Sequence, residues 1–381
     1  YVLTPDGALE IPTNVAYPDF MTGQPVADNR ALFTHELGHH WWGDAVTPYV
    51  HNDMWIKEGP AEYSGDLVEE WIGGTEAFVA AVKNNQLDVL KNSHLQDGGF
   101  QPLSPMPDPY IYGHHTYYKG AAVMHNLRGY LGDSLFRQTL QGVQQQFSDS
   151  AVDANGFRDA LESVAGVDLD PFFNAWVFAP GFSVFVVHGF ESVQQGNQWE
   201  VDLVLRQGLR GTTVFHDQVP LDLTLIGDNS QRQEYLVTAG GEFTPITVTS
   251  SFEPRMAVVN GFNRLNQARM DHEFVIQPGM TFANLLPRTD FRLYADTLLD
   301  TALFRVDHIW SGPDADLLDA TVDAISGAHY WVVDGIWPGG TDLYARLDYN
   351  GLNADKLDHD LYGITEQDAV LLYRPDPSVA W

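Results

Sequence analysis

The chain has 381 residues, 44% of them hydrophobic, and carries 51 acidic against 20 basic side chains for a formal net charge of −31. Its length suits two or three domains with cores of their own, and its charge argues against phosphate backbones and anionic bilayers, so neither nucleic acid nor membrane is expected as a partner. Cysteine is absent, which excludes disulfides, thiolate metal sites and cysteine nucleophiles and leaves His, Asp or Glu to hold any metal.

The chain opens on Tyr1 rather than Met and reads as a processed product or a fragment. No apolar run approaches the roughly 20 residues that a membrane helix needs. Asp28 is the expected N-cap of a first helix, which carries His35-Glu36-Leu37-Gly38-His39. On a helix, residues i and i+4 share a face, so His35 and His39 can meet one ion. For this pentad alone, two hydrogen-bonded core histidines are the competing explanation. Glu58 shifts the balance: it follows His39 after 18 residues, a gap that fits a loop and a second helix returning beside the first. Pro60 fits a first helical turn, so that helix is expected to begin close to Glu58. His, His and Glu with an open fourth position is the pattern of a catalytic zinc site, here one Zn2+ per chain. Glu62 and Asp66 are candidate partners for the outer imidazole N–H groups, with solvated surface carboxylates as the alternative. His40, His51, His114 and His115 read as non-ligands, the last two in a polar loop or along a pocket. The tryptophans of this region read as packing for the helix pair.

Downstream, "GTEAFVAAVKNNQLDVL" and "GAAVMHNLRGYLGDSLFRQTLQGVQQQF" repeat apolar residues three and four apart and predict helices. "DANGFRDALESVAG" begins with Asp153 as a cap and closes on Gly166, and "LDPFFNAWVF" stops at Ala179-Pro180-Gly181. Beyond that breaker the period changes to two. Val201, Leu203 and Leu205 are expected on one face with Asp202 opposite, and the short strands continue to about Gly261 as a β-sandwich. Residues 262–381 are expected to form a further small β-domain. In it "TDFRLYADTLLDTALFRV" is either strand or helix, while "AHYWVVDGIWPGGTDLYARLDYNG" and "DAVLLYRPDPSVAW" read as strands. Its Trp331, Trp337 and Trp381 suit either a surface- or glycan-binding face or a small core.

The stretch "HELGHHWWGDAVT…MWIKEGPAEY" resembles the aminopeptidase N family of zinc peptidases, whose pattern is H-E-x-x-H-x-W-x-G-N-x-V-T followed by W-L-x-E-G-x-A-x-Y. His35, Glu36, His39, Trp41, Gly43, Val46, Thr47, Trp55, Glu58, Gly59, Ala61 and Tyr63 match, while Asp44, Lys57 and Pro60 depart from it. The resemblance covers roughly residues 1–260 and implies a multidomain α+β protein. A mainly helical, thermolysin-like catalytic domain at 1–180 is followed by a β-sandwich at 181–261 and a C-terminal β-rich domain at 262–381. Gly7-Ala8-Leu9-Glu10-Ile11-Pro12-Thr13 is a degenerate form of the family's exopeptidase signature. It would make Gly7, Ala8 and Glu10 substrate-binding, with Glu10 taking the free α-amine. Tyr117 matches the family's oxyanion donor in Tyr117-Tyr118-Lys119-Gly120, with Tyr118 the neighbouring alternative. His35, His39 and Glu58 would hold zinc and Glu36 would be the general base, acting on peptides or proteins with a free N-terminus. A thermolysin-like endopeptidase, or a fragment with little activity for want of the family's N-terminal β-domain, are the alternatives.

Overall fold

Helical periodicity followed by strand alternation gives an α+β chain with several small sheets, most of them antiparallel. The computed structural model describes residues 1–281, 284–314, 318–361, 370–377 and 379–381. They divide into two compact units: residues 1–181, 211–220 and 263–266 in one, and 182–210, 221–262 and 267–381 in the other.

The first unit opens with the parallel pair β1 (Val2–Thr4) and β2 (Ala16–Pro18), followed by α1 (Arg30–Gly38), β3 (Val46–Pro48) and α2 (Trp55–Asp88). After α3 (His94–Gln96) come α4 (Gly120–Leu131), α5 (Asp133–Phe147), β4 (Ser150–Val152), α6 (Ala154–Ala165) and α7 (Asp170–Trp176). Several boundaries differ from expectation. Asp28 lies in a 3-10 turn (Val26–Asn29), and Asn29 takes the N-cap position of α1 without a side-chain bond. A similar turn over His51–Asp53 leads into α2 at Trp55, three residues before Glu58, so Pro60 sits inside the helix rather than in its first turn. Gly74, at φ 76°, interrupts α2, and Gly132, at φ 75°, separates α4 from α5. Both backbone angles lie where side chains with a Cβ are strained. Asp153 does cap α6, accepting a bond from the Gly156 N–H, and Gly166 closes it in the left-handed conformation.

Two close approaches set the helix geometry around the His-Glu segment. A Cβ on Gly38 would stand 3.2 Å from Ala61 Cα, so α1 and α2 meet across small residues. Gly59 and Gly120 meet more tightly: a Cβ on either would lie 2.8 Å from the other's backbone. This contact draws α4, and the π-helical turn His115–Lys119 before it, against the start of α2. Lys119 is buried there and donates to the Gln101 and Ala179 carbonyls at 3.2 and 3.1 Å. Trp42 and Trp55 pack on Phe157 of α6 and anchor the two segments, whereas Trp41 is half exposed.

The second unit begins with β5 (Phe182–Gln195), β6 (Gln198–Arg210), β7 (Val219–Gly227), β8 (Arg232–Ala239), β9 (Phe243–Ser250) and β10 (Pro254–Val259). They form two three-stranded sheets, ordered β5-β6-β9 and β10-β7-β8. Val201 and Leu203 of the first share a core with Leu223 and Leu225 of the second, while Asp202 faces out. Next come β11 (Arg269–Ile276), β12 (Leu285–Leu286), β13 (Phe291–Thr297), β14 (Ala302–Ile309), β15 (Tyr330–Ile336) and β16 (Asp342–Leu347), in sheets β11-β14-β15 and β12-β13-β16. The ambiguous segment 289–306 is thus strand, not helix. Trp331 packs on the core of Leu293, Phe304 and Val306 and donates to the Thr289 carbonyl; Trp337 stacks on Phe304; Trp381 donates to the Asp314 carbonyl. The strand expected over 368–381 lies partly outside the described residues. Its described part holds no strand, consistent with Pro375 and Pro377, which cannot donate to a ladder.

Gly59→Ala should therefore lower stability by roughly 1–3 kcal/mol, because the methyl group has only the Gly120 backbone to displace. Chemical denaturation checks this, and a loss below about 0.5 kcal/mol would refute a tight crossing at this point.

Candidate metal centre

Helix α1 carries His35 and Glu36, and His39 is its C-cap residue; α2 supplies Glu58 one turn in. The His35 and His39 Nε2 atoms stand 3.0 Å apart, and Glu58 Oε2 lies 3.3 and 3.2 Å from them. All three side chains are buried. The outward nitrogens fix the rings: His35 Nδ1 donates to Glu62 Oε2 at 2.9 Å, and His39 Nδ1 donates to the Trp42 carbonyl at 2.9 Å. Each imidazole therefore turns its Nε2 toward the other. The two Nε2 atoms and Glu58 Oε2 thus meet at one point. Such a set suits a divalent cation taking nitrogen and oxygen ligands, and these residues fit the group that the sequence implies.

A proton can meet the same demand for positive charge. Burial alone would lower the His35 pKa, but pairing with Glu58 and Glu62 raises it to about 9. Burial opposes ionisation of Glu58, yet the two imidazoles and Lys57 pull its pKa down to about 2. The pocket thus gathers positive charge wherever it can.

Glu36 is buried beside the three, its Oε2 without a hydrogen bond among the described residues. Burial raises its pKa against the lowering pull of His35 and His39, and Glu10 and Glu58 raise it further. Glu10 reaches the same cavity: carboxylate oxygens of Glu10 and Glu36 and a ring nitrogen of His39 lie within 4.8 Å of one another. The two backbone bonds between Leu9 and Ala16 pin the loop that delivers Glu10. Within that loop Gly7 is exposed at φ +69°, and Ala8 packs on the small core of Val15, Tyr17 and Met21. Tyr117 stacks on His35, ring centroids 5.8 Å apart, while Tyr118 turns to His114. Burial, then Glu58, Tyr112, Glu10 and Glu36, push the Tyr117 hydroxyl well above the usual phenol range, so it stays a donor.

Of the two carboxylates considered as outer partners, only Glu62 reaches an imidazole. Asp66 makes no hydrogen bond to either ring among the described residues. The partner of His39 is a main-chain carbonyl, which residue types cannot signal. His40 pairs with Asp44, and His51 with Asp108 at the surface. His115 is locked between Asp97 and the Gln101 N–H, a buried framework rather than a pocket lining. The residue that sequence reasoning passed over is Lys57: its ammonium sits on Glu10 Oε1 and lies 3.4 Å from Glu58 Oε1. The only signal was its departure from the surrounding pattern.

Residues 13–176 match the sequence profile of the Peptidase family M1 domain. Among curated proteins, the tricorn protease-interacting factor F2 of Thermoplasma volcanium is 24% identical over 212 residues, 54% of this chain and 26% of its own length. Aminopeptidase N of Lactococcus lactis subsp. cremoris is 28% identical over 209 residues, 49% of this chain and 24% of its own. Aminopeptidase N of Streptomyces lividans is 29% identical over 192 residues, 47% and 22% respectively. The matched stretch thus spans about a quarter of these relatives' length. Among solved structures, that of Legionella pneumophila aminopeptidase A in complex with aspartic acid is similar over 69% of this chain and 30% of its own. The TM-score is 0.53 at 16% identity, a likeness of fold.

Burial, with Glu62 and Glu69 nearby, pushes the Asp66 carboxyl up to about 8 from an ordinary 3.8. A raised carboxyl pKa favours folding fully below 3.8, and that contribution is lost as pH rises to about 8. Asp66→Asn, which cannot ionise, should match the wild type near pH ~4 and exceed it by on the order of 1–3 kcal/mol near pH ~8.5. Thermal melts across that range test this; a difference that does not grow with pH would rule out a strained buried carboxyl.

Proposed function

We propose, from the match of residues 13–176 to the Peptidase family M1 domain, that the chain is a zinc-dependent aminopeptidase removing residues from the free N-terminus of peptides. In this reading residues 1–180 are a thermolysin-like catalytic domain, 181–261 a β-sandwich and 262–381 a C-terminal β-rich domain. The observation that carries the reading is the convergence of His35 Nε2, His39 Nε2 and Glu58 Oε2 on one point, with Glu36 and Glu10 on the same cavity.

One Zn2+ held by His35, His39 and Glu58 would polarise a carbonyl and acidify water. The chain's own residues supply the rest. Glu36, a carboxylate shifted up by its surroundings, takes the proton of the attacking water and returns it to the leaving amine. Tyr117, held protonated, donates its hydroxyl to the scissile carbonyl oxygen as negative charge develops there. Glu10 pairs with the substrate α-ammonium and so fixes the cut one residue from the end. Gly7 and Ala8 form the loop that presents Glu10.

A thermolysin-like endopeptidase has one observation in its favour, since Lys57 already occupies Glu10. Hydrolysis of leucyl and N-acetyl-leucyl amides separates the two. The aminopeptidase cleaves only the free amine, and a chelator abolishes the activity; equal turnover of both substrates would leave the endopeptidase standing. Glu36→Gln should retain zinc by metal analysis while kcat falls about 10²–10⁴-fold. Loss of zinc from that variant would instead make Glu36 a ligand.

A further inference from the structure

The π-helical turn that carries Tyr117 is held from outside as well as by its own backbone. Such turns are rare, and the first N–H groups of any helical segment lack partners within it. Asp97, the residue that follows α3, takes them here. Its Oδ1 accepts the His114 N–H at 3.1 Å, and its Oδ2 accepts the His115 N–H at 2.7 Å. His115 Nε2 accepts the Gln101 N–H at 3.2 Å, so the ring proton is on Nδ1, which donates to Asp97 Oδ2 at 2.7 Å. Gln101 closes the ring of contacts: its carbonyl accepts from Lys119 at the other end of the turn, and its side-chain amide donates to the Asp97 carbonyl at 3.0 Å.

Asp97, His115 and Lys119 are all buried. A Cβ on Gly113 would overlap Asp97 Oδ1, so the carboxylate fills the space that a side chain there would take. Burial opposes charge on both members of the Asp97–His115 pair. At Asp97 it is outweighed by the His115 ring and the His115 and His114 N–H groups, which hold the carboxyl below its usual range. At His115 burial prevails over the pull of Asp97, and the pKa is lowered. The pair is thus a carboxylate bonded to a neutral imidazole, and its bonds to the turn are charge-assisted.

Neither residue belongs to the group that converges on the candidate metal centre. Tyr117 lies between the two anchored ends of the turn, with its ring on His35. A donor to a developing oxyanion acts only when correctly placed, and a misplacement of about 1 Å costs on the order of 10²-fold in rate. We propose that the buried Asp97–His115 pair is a positioning unit for Tyr117, fixing the start of the π-helical turn while Lys119 fixes its end. The inference rests on the aminopeptidase reading, in which Tyr117 donates to the scissile carbonyl oxygen.

The test is a double-mutant cycle between the pair and Tyr117. In the zinc-loaded protein, Asp97→Asn and His115→Leu should each lower kcat for leucyl amide about 10–100-fold, with KM within about twofold and zinc content unchanged. Placed in Tyr117→Phe, the same substitutions should cost less than about twofold more, because the group they position is gone. A full loss in the Tyr117→Phe background would overturn the proposal, since the pair would then act on something else. Amide hydrogen exchange gives a readout free of turnover and of metal. In the zinc-free chain, Asp97→Asn should speed exchange across residues 113–120 and leave α1 and α6 as protected as in the wild type. Acceleration everywhere, or none across 113–120, would also overturn it. Wild-type kcat in Tyr117→Phe would instead overturn the catalytic role of Tyr117, and cleavage of N-acetylated substrates as readily as free ones would overturn the aminopeptidase reading itself.

Discussion

Two imidazole nitrogens 3.0 Å apart, with a carboxylate oxygen 3.2 and 3.3 Å from them, are repulsive unless positive charge lies between them. The surrounding structure holds the three atoms in place. Glu62 and the Trp42 carbonyl take the outer N–H of each ring, so neither imidazole can relieve the contact by turning its protonated nitrogen inward. The rings are also confined by packing, since α1 and α2 approach at Gly38 closely enough that a methyl group there would meet Ser64 and Ala61. Such a site would be preorganised for a cation: the structural cost of bringing the three side chains together falls on folding.

Much of this was legible from residue types because the ligands obey helical spacing. His35 and His39 had to share a face if the segment was helical, and Glu58 needed only a second helix beside the first. Helix boundaries were less legible. Asp28 and Pro60 carry capping and first-turn signals, but 3-10 turns ahead of α1 and α2 displaced both helix starts, and local propensity yields to such context. The partner of His39 could not be read at all, because it is a backbone carbonyl that exists only once the chain turns after Gly38. In the second unit, alternation placed Val201, Leu203 and Leu205 inward because a half-buried strand leaves little choice. The segment 289–306 stayed ambiguous because short apolar runs satisfy both periods until pairing partners are known.

The tightest backbone contact at the site, between Gly59 and Gly120, joins two sequence motifs that otherwise look independent. One lies next to Glu58; the other closes the segment containing Tyr117. Because neither residue has a side chain, α4 can reach the start of α2, and the π-helical turn ahead of it sets the Tyr117 ring on His35. The glycines therefore act on the site through distance alone. A phenol stacked on a ligand imidazole and surrounded by Glu58, Glu10 and Glu36 cannot ionise readily, which keeps its hydroxyl available as a donor.

The same reasoning explains why Lys57 carries information that the ligands do not. His35, His39 and Glu58 would define where a cation sits, and many chemistries could use that arrangement. Beside them the site offers a carboxylate already bound to an ammonium from the same chain. An internal ion pair with a guided stem is a fixed dipole rather than a single charge, and the stem is guided by Gly43, whose φ of +125° disfavours any side chain of its own.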